Sequence, residues 1–270
     1  MFRSLPSAER ATTGWKHTNM NWSLYLNDVY IIGSRYLLVA SIAFLIWYIF
    51  LRKTIASKKI QQRYPKRVDY VREIGFSIAT VFIMGFIPAL VLGSPELSKH
   101  TKFYTDINQH GLTYFILAFP LMAIMHDTYF YWMHRLMHHP PVFKIVHLVH
   151  HKSTNPSPFA AYAFHPFEAI VEAGIFVVFV FTIPVHLYHL LFFFLFMIVY
   201  NVYGHLGWEL YPKGFSKHWL GKWINTSVNH NMHHQYFKGN YGLYFLFWDR
   251  VMGTIRKDYD ERFEEVKSRK

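Results

Sequence analysis

Four apolar blocks constrain this chain more than any other feature. Residues 36–51 and 74–92 are nearly uncharged runs of membrane-spanning or almost membrane-spanning length. Residues 112–125 are shorter but continue helically, and residues 169–203 form a long apolar tract broken once, at Pro184. A soluble core would need several long helices apolar on every face inside one small domain, so the blocks predict a multi-pass membrane protein. The polar residues 1–29 lack a short apolar core with a cleavage site, so the first span is expected to be retained.

Charge sets the expected orientation. Between the first two blocks lie Arg52, Lys53, Lys58, Lys59, Arg63, Lys66 and Arg67 with no acid before Asp69, whereas the next loop balances Lys99 and Lys102 against Glu96 and Asp106. The basic loop is therefore expected on the cytoplasmic side and residues 1–29 on the other. The span over roughly 112–133 then returns to the cytoplasm, and 169–203 folds as a hairpin turning near Pro184. Basic residues beside a span answer to topology and anionic head groups. No nucleic-acid motif accompanies them, so no nucleic-acid partner is expected.

Histidine is concentrated in three short bursts, HRLMHH at 134–139, HLVHH at 147–151 and HNMHH at 230–234, and the expected topology puts all three on the cytoplasmic face. His147, His150 and His151 have the spacing i, i+3, i+4, one face of a helix; His230, His233 and His234 repeat it. Asp127, Tyr131, His134 and His138 form a third stripe, from which His126 and His139 point away. Eight converging imidazoles would repel if protonated and cost much to desolvate, so divalent metal is their natural occupant. Two ions with three or four nitrogens each fit the number. The chain contains no cysteine, which excludes thiolate sites and leaves Zn, Cu, Fe or Ni open. No Gly-rich nucleotide loop is present.

HDTYFYWMHRLMHH, FKIVHLVHH, SPFAAYAFHPFE and NHNMHHQYFKGNYGLYFLFWDRVMGT, in that order over residues 112–256, resemble the signature segments of the fatty acid hydroxylase/sterol desaturase superfamily, closest in motif to its sterol C5-desaturase (lathosterol oxidase) branch. The resemblance implies an all-α integral membrane protein with four or five transmembrane helices and a cytoplasmic helical cap holding a histidine-rich dimetal site. It implies an O₂-dependent non-haem di-iron oxidase that desaturates or hydroxylates a membrane lipid, using electrons from an external cytochrome b5 or ferredoxin. On that likeness His134, His138, His147, His150, His151, His230, His233 and His234 are iron ligands, and His205 in NVYGHLGWE joins them. Asn201 stands where some relatives carry a further histidine, so one iron is expected to be less fully ligated.

His165 stands as a ligand or, as the preferred role for an isolated His-Pro, as a hydrogen-bond donor behind one. Asp127, Glu168 and Glu172 are read as carboxylates orienting ligand histidines, with an ordinary salt bridge as the alternative. The domain order expected is a non-cytoplasmic tail (1–29), spans one and two with their loops (30–111), the catalytic domain (112–256) and a charged cytoplasmic tail (257–270). The active site faces the cytoplasm, at a bacterial inner membrane or at the endoplasmic reticulum of a eukaryote. The basic residues of 213–257 offer an acidic electron donor a docking surface. Two rival classes fit the pattern less well: a zinc-dependent membrane hydrolase lacks its HExxH here, and a metal transporter would place ligands at the bilayer midplane.

Overall fold

The structure, a computed structural model, describes residues 20–269. Its first helix, α1 (Trp22–Phe44), runs on through a π-helical stretch, Leu45–Phe50. It starts inside the stretch expected as an amino-terminal tail because Asn21 caps it, its carboxamide oxygen accepting from Leu24 N at 3.1 Å. Residues 1–19 of that tail lie outside the described residues.

Next come α2 (Arg67–Gly93), α3 (Pro95–Ser98), α4 (Gly111–Met137), α5 (Pro140–Val146) and α6 (Leu148–His151), then α7 (Pro166–Thr182) and α8 (Leu187–Gly204). The chain closes with α9 (Ser227–Tyr236), α10 (Phe247–Val251) and α11 (Tyr259–Ser268). Two short strands, β1 (Phe103–Tyr104) and β2 (Val185–His186), pair in parallel and tie the α7–α8 turn to the loop before α4.

Among the described residues, four helices are long and apolar enough to cross a bilayer: Trp22–Phe50, α2, α4 and α8. The fifth, α7, is equally apolar in character but only 17 residues long. Large apolar side chains such as Leu38, Ile42, Val71, Ile78, Leu112 and Ile116 point outward on these helices, an arrangement suited to hydrocarbon and costly in water. Pro88 and Pro120 sit inside α2 and α4, where neighbouring helices shield the broken ladder. α1 and α2 pack closely because residue 85 is glycine, a Cβ there coming within 2.7 Å of Val29.

The loop joining α6 to α7 lies across the ends of α1 and α2. Its Phe159 carbonyl accepts from Tyr36 Oη at 2.9 Å and from Ser77 Oγ at 3.0 Å. Tyr48 Oη reaches Leu206 O at 3.1 Å. These bonds lock the end of the bundle against which the histidine-bearing segments α4, α6, α8 and α9 converge. One member of the basic loop departs from its expected surface role: Lys59 is fully buried, its Nζ 3.2 Å from Asn155 Oδ1 and 5.1 Å from the ring of Trp208.

Candidate metal centre

Nine imidazoles meet in two adjoining groups. His134, His138, His147, His151 and His233 form one, His150, His205, His230 and His234 the other, and within each group the ligating nitrogens all lie within 4.8 Å of one another. Each helix contributes by its periodicity. α4 and its C-cap present His134 and His138 one turn apart, α8 ends on His205, and α9 carries His230, His233 and His234. The i, i+3, i+4 boxes divide between the groups: His147 and His151 face the first and His150 the second, while His233 faces the first and His230 and His234 the second.

Most outer nitrogens are spoken for. His134 Nδ1 lies 2.9 Å from Tyr241 O, His233 Nδ1 2.8 Å from Gly239 O, His205 Nδ1 2.8 Å from Asn201 O and His234 Nδ1 3.0 Å from Ser153 O. His147 Nδ1 lies 2.6 Å from Glu168 Oε1. Carbonyl and carboxylate oxygens only accept, so each of these Nδ1 atoms carries the proton and each Nε2 is left with a bare lone pair. Those Nε2 atoms face one another in the pairs His134–His147 and His234–His205, both at 3.1 Å, and His233 and His234 also face the Nε2 atoms of His151 at 3.0 Å and His230 at 3.2 Å.

In the first two of these pairs both nitrogens are acceptors, with no proton to share. Burial, followed by the neighbouring imidazoles, pushes His147, His150, His151, His230, His233 and His234 well below the ordinary histidine range, and burial lowers His205 to about 4. The rings are therefore neutral at pH 7, and the donor set, all imidazole, fits divalent transition-metal ions. His150 Nδ1 and His151 Nδ1 are buried without hydrogen-bond partners among the described residues.

The loop after α9 is built to supply two of these acceptors. Phe237 (φ 63°) and Asn240 (φ 58°) both adopt left-handed backbone, a strain of about 1 kcal/mol or more each. They flank the Gly239 carbonyl beneath His233. Asp249 holds the far side of the loop, accepting from Tyr241 N at 2.9 Å, Gly242 N at 2.7 Å and Thr254 Oγ1 at 2.7 Å. Glu209 performs a similar task at the start of α9, where it accepts from Val228 N at 3.0 Å and Tyr203 Oη at 2.6 Å. Sequence reasoning passed over both carboxylates. Asp249 stood in the WDR-x-x-GT segment as a motif letter without a physical role.

Of the residues expected behind the ligands, Glu168 contacts His147 as described. Asp127 does not orient a ligand: its carboxylate accepts from Tyr244 N at 2.8 Å and Phe245 N at 3.0 Å, fixing backbone. His165 neither joins a group nor supports one. It is the N-cap of α7, its Nδ1 accepting from Phe167 N at 3.3 Å, because the following Pro166 starts the helix. Asn201 donates its Nδ2 to Ala161 O at 2.7 Å and supports His205 through its backbone. Glu172 lies in a cavity beside the site, apart from the imidazoles.

That cavity, of about 350 Å³, is mostly apolar and is walled by α1, α2, α7 and α8. One end reaches Asn201 and Phe164, whose ring packs 5.1 Å from that of His150. Along α8 it extends to Leu187, fourteen residues away, which is about 20 Å at the helical rise. Arg35, Glu172 and Asp28 are its few charged linings.

A family model described as fatty acid hydroxylase matches residues 119–254. A Delta(7)-sterol 5(6)-desaturase of Gibberella zeae is 35% identical over 62% of this chain and 50% of its own length. One of Aspergillus fumigatus is 30% identical over 97% of this chain and 71% of its own, and the lathosterol oxidase of Mus musculus is 32% identical over 68% and 60%. The chain thus spans half to somewhat over two thirds of these relatives. No solved structure matches it.

Proposed function

The chain belongs to the fatty acid hydroxylase family, and from that premise we propose that it is a membrane-bound oxidoreductase that uses two histidine-held iron ions and O₂ to desaturate or hydroxylate a membrane lipid. The observation that carries this reading is the set of buried, neutral imidazoles whose Nε2 atoms face one another at 3.0 to 3.4 Å. Iron at His134, His138, His147, His151 and His233, and at His150, His205, His230 and His234, would leave positions free for O₂. When bound, the pair supplies the electron-sharing that cleaves O₂ and the oxidant that removes hydrogen from an unactivated C–H bond.

The chain's own residues do the rest. The carbonyls of Tyr241, Gly239, Asn201 and Ser153 fix ring orientation and tautomer, and the Glu168 carboxylate makes His147 a more basic ligand. The apolar cavity excludes water and aligns a long lipid, so that one of its carbons comes to rest beside Phe164, next to His150. The excess of lysine and arginine in the 52–67 loop supports a cytoplasmic site.

Desaturation consumes one C–H from each of two neighbouring carbons with O₂, two electrons and two protons, giving an alkene and two waters. Hydroxylation consumes one C–H with the same reagents and gives an alcohol and one water. In either case two electrons come from outside, from a one-electron carrier of the cytochrome b5 or ferredoxin class. The relatives' names point to a sterol ring as substrate.

Purified protein should hold about two irons per chain, and expressing cells should gain an unsaturated or hydroxylated lipid that is missing with the His150→Ala/His151→Ala variant. Zinc alone with hydrolytic turnover, or identical lipid profiles at equal expression, would refute the reading.

A further inference from the structure

Over the five-histidine group, and sharing no lining residue with the apolar cavity, the surface carries an open concavity of about 650 Å³ lined by Arg135, Lys238, Gly239, Tyr241, Arg256 and Lys257, among others, with Asp258 as its one acid. Its floor is the strained turn described above. The Gly239 and Tyr241 carbonyls that receive His233 and His134 at 2.8 and 2.9 Å belong to this lining. One backbone layer therefore separates the concavity from the ligands. At its edge Phe237 is 38% exposed, yet its ring lies 5.0 Å from that of His151.

Arg256 is tied down, its guanidinium bonded to Asp258 and stacked 4.0 Å over Tyr236. Arg135 Nη1 lies 3.3 Å from Tyr131 Oη. Lys238 and Lys257 are exposed and make no ion pair among the described residues. Positive charge gathered over a short bonded path to metal ligands suits a partner that must pass electrons without entering the lipid cavity.

We propose that the concavity over the 236–241 turn, rimmed by Lys238 and Lys257, is the docking site for an acidic one-electron carrier protein. It rests on the oxidase reading and adds to it the place where electrons enter. Each docked carrier gives up one electron and is oxidised by one unit, so two dockings supply one turnover. The route is the Gly239 and Tyr241 peptide hydrogen bonds together with the Phe237–His151 ring contact. Anionic lipid head groups share the charge preference but have no need of proximity to the ligands, and the favoured partner is the carrier.

The test uses the full chain in nanodiscs of zwitterionic lipid, metal-free, with the soluble domain of cytochrome b5 as the acidic probe. Binding should weaken about tenfold or more in Lys238→Glu/Lys257→Glu at low ionic strength, less in Lys238→Gln/Lys257→Gln, and it should lose its salt dependence. The reversal Lys53→Glu/Lys66→Glu, at another basic loop, should leave binding unchanged. Equal binding by all variants, or an equal loss at the control loop, overturns the docking site. So does loss of binding to anionic vesicles with carrier binding intact, which would assign the concavity to lipid.

Iron-loaded protein separates this from the reading beneath it. If lipid is oxidised with dithionite while carrier binding ignores Lys238 and Lys257, the docking site falls and the oxidase stands. If no reductant yields product yet binding follows the lysines, the surface stands and the oxidase reading falls.

Discussion

Glu168→Gln should weaken metal binding at the five-histidine group by about ten- to a hundredfold, the range typical when a partner behind a ligand histidine is altered. Glu168 and His147 are both buried, and Oε1 lies 2.6 Å from Nδ1. Burial pushes the Glu168 carboxyl well above the usual carboxylate range and a divalent ion on His147 would favour its ionised form, so glutamine, which keeps the shape and can still accept from the ring, removes charge from the metal-bound state without creating a cavity. A hydrogen bond to a charged acceptor contributes about 1.5–3 kcal/mol and a neutral one about 0.5–1.5 kcal/mol. The difference, about 1–1.5 kcal/mol, is already a factor of roughly ten. Nine neutral imidazoles bring no counter-charge to two divalent ions, and Glu168 is the carboxylate in contact with a ligand ring, which pushes the effect upward. Glu168→Ala should cost more, because it leaves the Nδ1 proton buried and unpaired. Competition against a calibrated chelator, with metal-free thermal unfolding as the check on folding, reads the effect. If both variants hold metal as tightly as the parent, the carboxylate does not tune His147.

Asp249→Ala removes the acceptor of Tyr241 N, Gly242 N and Thr254 Oγ1, at about 1–3 kcal/mol for each buried donor left unpaired. A lower unfolding midpoint and loss of bound metal are the expected readouts, the second because the loop carries the carbonyls behind His134 and His233. Lys59 gives a pH signature. Burial lowers its ammonium to about 7, so between pH 7 and the ordinary lysine range the unfolded chain holds a proton that the folded chain does not. Parent stability then rises with pH by up to about 1.4 kcal/mol per unit. Lys59→Met should lack that slope in unfolding midpoints from pH 7 to 9, and parallel curves would show Lys59 charged in the fold. Adding metal in hundredfold excess over its dissociation constant should stabilise the metal-free protein by about 2.7 kcal/mol for each ion bound, read as a raised midpoint that a chelator reverses.

The candidate ligands are legible because periodicity is a side-chain property. Spacing of i, i+3, i+4 marked His147, His150 and His151 and likewise His230, His233 and His234 as single faces, and uncharged length marked the spans. What supports the ligands was mostly hidden, since a carbonyl such as Gly239 O or Ser153 O leaves no letter in the sequence. Asp127 and His165 misled for the opposite reason: both are residue types that serve metals, and both here satisfy backbone N–H groups instead. Lys59 counts toward the basic loop by composition, while Trp208 and Asn155, which help to bury it, come from distant segments that no local pattern announces.

The division of the boxes between the two groups has a consequence for assembly. Each tetrad-spaced segment, 147–151 and 230–234, hands nitrogens to both sides, so the two halves are cross-stitched and cannot be built one after the other. Filling is then expected to be all or none, and a lesion in either segment should empty both halves together.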